Sequence, residues 1–144
     1  MSTPHPHQTL LHRLGHAGLI PFVMLAAMVW LLPPDLRAWT ALALAVYAAL
    51  VLSFLGGLYW GALWGGATGN TAAVWWGVTP SLLAWPGVLM PPHAGLAWLG
   101  FLLVLCYGVD RRLFPTLGLS PWLTLRFRLS TVAALSCFLA AGAI

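Results

Sequence analysis

Five apolar runs, at about 14–32, 39–64, 72–90, 94–109 and 122–143, take up most of this 144-residue chain, each near the roughly 20 residues a helix needs to cross a bilayer. Pro33-Pro34, Gly65-Gly66, Pro91-Pro92 and the stretch from Asp110 to Pro121 separate them. What lies between is too short for a soluble domain. Six arginines and two aspartates are the only formally charged side chains, 6% of the residues, where a soluble domain carries about a quarter. A water-facing surface cannot be assembled from such a sequence. The pattern predicts an all-α polytopic membrane bundle: a polar tail at 1–13, then one domain of five transmembrane helices at 14–144. The first run is long for a signal peptide and no small-x-small site follows it, so it reads as a retained span.

The same scarcity narrows the chemistry. With Asp35 and Asp110 as the only acids, carboxylate-pair catalysis and acidic metal cages lack their residues. No span carries a histidine at mid-depth, which argues against a two-histidine haem site. None carries an acid or base there either, which argues against a proton pump, an ion-coupled transporter or an intramembrane protease. The chain therefore reads as non-enzymatic and without a cofactor. A net charge of +4 would raise nucleic acid as a partner for a soluble domain. Arginines at span ends instead act as topology signals and contacts to lipid phosphate, so the bilayer is the expected partner. Five spans place Arg13, Arg111, Arg112, Arg126 and Arg128 on one side and Arg37 on the other. The excess sets the amino terminus in the cytoplasm and the carboxyl terminus in the periplasm.

Several local patterns stand out. In the second span Ala41, Ala45, Ala49, Ser53, Gly57, Gly61 and Gly65 recur every four residues, a small-residue stripe that advances about 40° per step. Ser53, Gly57, Gly61 and Gly65 are expected to pack closely against another span or against a partner, a second copy included, or to admit a flat ligand. In the third span Pro80 and Pro86 free the carbonyls of Trp76 and Leu82, and Thr79, Ser81, Tyr59 or Trp60 could supply donors. Tyr59, Trp60, Thr79, Pro80, Ser81 and Trp85 thus form a candidate pocket for a lipid, quinone or tetrapyrrole, beside the plainer reading of a kink. Asp110, Arg111, Arg126 and Arg128 should gather at one end, with an Asp110–Arg126 ion pair or lipid phosphate as the arginines' partner. His12 and His16, four apart on one face, with His5 and His7 nearby, are the weak metal candidates; no cysteine or carboxylate adjoins them, so no metal is expected. Cys106 and Cys137 fall in apolar runs as packing residues. Finally, Gly18–Pro21 and Gly77–Pro80, Pro33-Pro34 and Pro91-Pro92, Trp39 and Trp98, and Tyr47 and Tyr107 match at offsets near 59, the pattern of two parallel-repeated hairpins with a fifth helix added.

Leu14-Gly15-His16-Ala17-Gly18-Leu19-Ile20-Pro21-Phe22, Leu52-Ser53-Phe54-Leu55-Gly56-Gly57-Leu58-Tyr59-Trp60-Gly61, Pro80-Ser81-Leu82-Leu83-Ala84-Trp85, Asp110-Arg111 and Pro121-Trp122 through Leu125-Arg126 together resemble the domain-of-unknown-function 3429 family. That family of small polytopic membrane proteins includes bacterial members and the mitochondrial transmembrane protein 69. The resemblance implies a bacterial or mitochondrial inner membrane, and without an Arg/Ser-rich presequence the chain looks bacterial. It implies no reaction. Gly57, Pro80-Ser81 and Arg126 coincide with the family's motif positions. The expectation that follows is an accessory or assembly partner of a larger membrane complex or a homo-oligomer; the alternatives are the ligand binder and, third, a small-molecule carrier.

Overall fold

A computed structural model describes residues 8–69 and 71–144. Among them there is no strand. The helices are α1 (Gln8–Ala17), α2 (Ile20–Leu31), α3 (Pro34–Trp64), α4 (Thr71–Leu89), α5 (Pro92–Leu113) and α6 (Leu123–Gly142), with two 3-10 turns, Phe114–Leu117 and Ser120–Trp122, leading from α5 to α6. The first two make one column broken at Gly18-Leu19, so the described residues form five columns. Pro21 causes the break: it has no amide to bond the Ala17 carbonyl and its ring crowds that turn. At the break the Gly18 carbonyl accepts the Tyr47 hydroxyl at 2.7 Å, and Phe22 meets the Tyr47 ring edge-on at 4.9 Å.

Four segments, Thr9–Leu31, Pro34–Trp64, Pro92–Leu117 and Ser120–Gly142, are long and apolar enough to cross a membrane. The fifth column, α4, has 19 residues, about 28 Å at 1.5 Å per residue, a comparable reach. Three tryptophans and two prolines lower its hydropathy. Helix ends differ from the apolar runs for local reasons. Both α3 and α5 begin at a proline, at Pro34 instead of 39 and Pro92 instead of 94, because a proline in the first turn forfeits no helical hydrogen bond. The end of α5 passes Val109 to reach Leu113 because Asp110 is buried instead of solvated. Helix also starts at Gln8, inside the expected tail.

Contacts sort the column ends into two sets. At one end the His12 ring lies 5.6 Å from Trp122, and Asp110 of α5 bonds Tyr59 of α3 and Arg126 of α6. At the other, the Trp30 indole donates to the Leu139 carbonyl at 3.0 Å. Successive columns therefore run antiparallel, and α3 and α5 run parallel. Arg13, Arg111, Arg112, Arg126 and Arg128 share the first end, called here the arginine-rich end; Arg37 stands at the other, donating to the Leu32 carbonyl at 3.2 Å.

The core is made by Phe22 and Val29 of α2, Leu44 and Leu52 of α3, and Leu96, Leu99, Leu102 and Leu103 of α5, with Ala133, Ala134 and Ala140 of α6 closing on them. Large apolar side chains such as Trp39, Leu50, Phe54, Trp64, Trp75 and Leu82 point outward, which suits lipid as the surrounding solvent. Where α4 meets its neighbours, backbone touches backbone. A Cβ on Gly56 would stand 2.5 Å from the Gly77 oxygen, and one on Gly95 would stand 2.2 Å from the Gly87 oxygen.

The residues matched by the offset near 59 do not share contacts. Tyr47 bonds Gly18 while Tyr107 packs on the Phe127 ring at 5.4 Å. Trp98 donates to the Leu83 carbonyl at 2.8 Å while Trp39 is 72% exposed.

Candidate functional site

Three polar side chains meet in the interior at the arginine-rich end. Asp110, 2% exposed, lies in the last turn of α5; Arg126, 6% exposed, lies in the first turn of α6; Tyr59, 1% exposed, comes from α3. Arg126 donates from Nε and Nη2 to Asp110 Oδ2 at 2.9 and 2.7 Å. The Tyr59 hydroxyl donates to Oδ1. One carboxylate thus ties together three helices, and its charge is matched by the guanidinium beside it. Phe114 covers Tyr59 with ring centroids 5.7 Å apart. One turn along α6, the buried Ser130 hydroxyl has no hydrogen-bond partner among the described residues. The cluster is a closed clamp: both carboxylate oxygens are engaged, leaving it suited to holding helices and not to proton transfer. The sequence brought Asp110 and Arg126 together across one short connection but placed Tyr59 on a pocket wall. The parallel run of α3 and α5 in a five-span bundle was the signal that could have brought it here.

The six candidate pocket residues turn to different partners. Trp60 donates from Nε1 to the Val74 carbonyl at 2.9 Å, Thr79 to Trp75 at 2.7 Å and Ser81 to Val78 at 2.9 Å. None of these three bonds reaches the carbonyls of Trp76 or Leu82, which the prolines free and these donors were expected to meet. Helix α4 continues through both prolines. Pro80 is buried in the contact with α3, and Trp85 is 65% exposed on the outside. What does open is a groove of about 730 Å³ between α4 and α5, lined by Trp75, Trp76 and Thr79 on one side and by Phe101, Leu105, Gly108 and Arg112 on the other. Of the six, Thr79 alone lines it. The groove depends on how two helices diverge, which no residue pattern announced.

The small-residue stripe divides in two. Ala41 and Ala45 are buried, Ala49 is half-buried, and Ser53, Gly57, Gly61 and Gly65 are exposed. Five steps of four from Ala41 to Gly61 turn about 200° around the helix, from the inside of the bundle to its outside. A Cβ on Gly57 or Gly61 would meet nothing within 4 Å, so these glycines do not pack a neighbouring span. Gly56, one residue away, does. The Ser53 hydroxyl donates to the Ala49 carbonyl at 3.1 Å.

His16 donates from its ring to the His12 carbonyl at 2.7 Å. Among the described residues no group of three or more His, Cys, Asp or Glu side chains is placed to hold a metal; His5 and His7 lie outside the described residues. Arg111 and Arg128 are exposed.

An all-helical bundle with an apolar exterior, short connections and a buried ion pair near one end defines a polytopic membrane-type helical protein. The chain belongs to the family described as protein of unknown function (DUF3429), whose family model matches residues 7–142. That match covers clamp, groove and stripe alike. Neither the curated proteins nor the solved structures contain a match to the chain.

Proposed function

We propose that this protein is a non-enzymatic accessory or assembly partner of a larger membrane complex, and that it meets its partner inside the bilayer across the Ser53–Gly57–Gly61 face of α3. The observation that carries this is the pair of outward glycines with nothing within 4 Å of a Cβ. Glycine in a helix interior costs about 1 kcal/mol against alanine, so two of them facing lipid are a burden unless another backbone approaches there. Small residues allow that approach, and in lipid close van der Waals packing is the main source of helix association. The short connections point the same way, since they offer almost no surface for a partner outside the membrane. Family membership supports a bacterial inner-membrane location, and the arginine distribution supports an amino terminus in the cytoplasm and a carboxyl terminus in the periplasm.

Extraction in a mild detergent, followed by mass spectrometry of whatever co-purifies in stoichiometric amount, tests this. Gly57→Leu and Gly61→Leu should each remove the co-purifying protein while leaving the helical content of the bundle unchanged. A second copy of the chain as the retained partner would make the complex a homo-oligomer on the same face. Retention of an undiminished partner by both variants would refute the reading.

A further inference from the structure

We infer that the groove between α4 and α5 binds an anionic phospholipid, with an acyl chain between the two helices and the lipid phosphate on Arg112. The inference does not rest on the partner face, which belongs to α3. The groove's position, dimensions, lining and charge converge on this occupant.

The groove opens on the outer surface, where Trp75, Phe101 and Val104 are each more than half exposed. On helices that face lipid, such an opening is filled by hydrocarbon. Its length fits one leaflet: from Phe101 to Arg112, both lining it, eleven residues span about 16 Å of helix, half of a hydrocarbon core about 30 Å thick. A volume of about 730 Å³ lies within the range of pockets that take small ligands. The walls leave room and little polarity. Gly108 has nothing within 4 Å of a Cβ, which gives a chain space where another side chain would block it. The Thr79 hydroxyl is occupied by the Trp75 carbonyl.

Charge then selects the headgroup. Arg112 is exposed at the mouth of the groove, and the chain has two acids to set against it. Asp35 lies in the first turn of α3, at the opposite end of the bundle. Asp110, though two residues away in sequence, has one oxygen on Tyr59 and the other on Arg126. Among the described residues neither aspartate pairs with Arg112, and a lipid phosphate can accept two parallel guanidinium bonds. Trp75 and Trp76 enter near the start of α4, at the same end, where indoles sit at headgroup level.

The test uses the full chain, delipidated in detergent and titrated by native mass spectrometry with phosphatidylglycerol or with phosphatidylcholine of the same acyl chains. The expected result is one tightly retained phosphatidylglycerol per chain and weaker phosphatidylcholine. Arg112→Gln should lower phosphatidylglycerol affinity about fivefold, the worth of one arginine at an anionic membrane surface. Gly108→Leu, whose Cβ meets nothing within 4 Å and whose side chain would take up space in the groove, should lower it without any change of charge. Arg111→Gln removes the same charge one residue away, outside the groove lining, and should leave the affinity intact. Circular dichroism confirms that each variant keeps its helices. Wild-type affinity in either Arg112→Gln or Gly108→Leu overturns the inference, as does an equal loss in Arg111→Gln. So does displacement of phosphatidylglycerol by a stoichiometric quinone or tetrapyrrole.

Discussion

Gly56 and Gly57 are adjacent in sequence, yet replacing each by alanine should have opposite effects. On Gly56 the new methyl would stand 2.5 Å from the Gly77 oxygen, 3.3 Å from its carbonyl carbon and 3.4 Å from Pro80 Cδ. Non-bonded carbon atoms rest about 3.5–4.0 Å apart, so α3 and α4 must part by close to 1 Å at a contact where the obstacle is helix backbone. Overpacking of this kind costs about 1–3 kcal/mol. The movement also strains the 2.9 Å bond from Trp60 to Val74, worth about 1 kcal/mol. Alanine returns up to about 1 kcal/mol in helix propensity. The balance for Gly56→Ala is a net loss of about 1–3 kcal/mol. Gly57→Ala meets nothing and collects the propensity term alone, leaving the bundle as stable as before or up to about 1 kcal/mol more so. Unfolding in mixed micelles of rising SDS fraction, followed by far-ultraviolet circular dichroism, separates the two variants. Equal midpoints would refute the assignment of Gly56 as the close-approach residue.

The clamp gives two further predictions. Asp110→Ala leaves the Arg126 guanidinium buried without its partner and should cost about 3–5 kcal/mol, whereas Asp110→Leu combined with Arg126→Leu should recover much of that loss in the same SDS titration. Tyr59→Phe removes one hydrogen bond to a charged group and should cost about 1.5–3 kcal/mol; an unchanged midpoint would show the Tyr59 contact to be idle. For orientation, a fluorescent reporter that matures only in the cytoplasm should stay dark when fused after Ile144, and a bright fusion would reverse the assignment made from the arginines.

The bilayer made much of the fold legible in advance. A fixed hydrocarbon thickness sets the length of an apolar run, and alternation of direction then decides which ends share a side, so the gathering of Arg13, Arg111, Arg112, Arg126 and Arg128 follows from counting spans. Ion pairing between Asp110 and Arg126 follows too, because α5 and α6 are antiparallel neighbours joined by a short connection. Tyr59 was not legible, because its place beside Asp110 depends on contact between α3 and α5, which are separated in sequence by all of α4. The stripe shows a different limit. Its winding can be computed from the repeat, but its phase relative to the bundle is set by which face α4 and α5 cover. Neighbouring positions on a helix differ by about 100°, enough to put Gly56 against the backbone of α4 and Gly57 on the outer surface.

The groove has the same origin as those glycine contacts. Toward the end opposite the arginines, α4 is held to α5 by the Gly87–Gly95 approach and by the bond from Trp98 to Leu83. Toward the arginine-rich end it is held to α3 instead, by the Gly56–Gly77 approach and the bond from Trp60 to Val74. A helix pinned to one neighbour near one end and to a different neighbour near the other must diverge from the first along its length. The opening it leaves against α5 is lined on that helix from Phe101 to Leu113. On this account the opening is built by the backbone contacts and is not a local packing fault. Substitution at the Gly87–Gly95 approach should therefore change it from a distance. Gly95 is about 25 Å along α5 from Arg112 and lies outside the groove lining. An alanine there collides with the Gly87 carbonyl and pushes α4 off α5 at that approach, which alters the opening. Gly95→Ala should weaken phosphatidylglycerol retention in native mass spectrometry while Gly142→Ala, where a Cβ meets nothing, leaves it intact. Equal retention in the two would mean that the groove is shaped by its own lining and not by the way α4 is pinned.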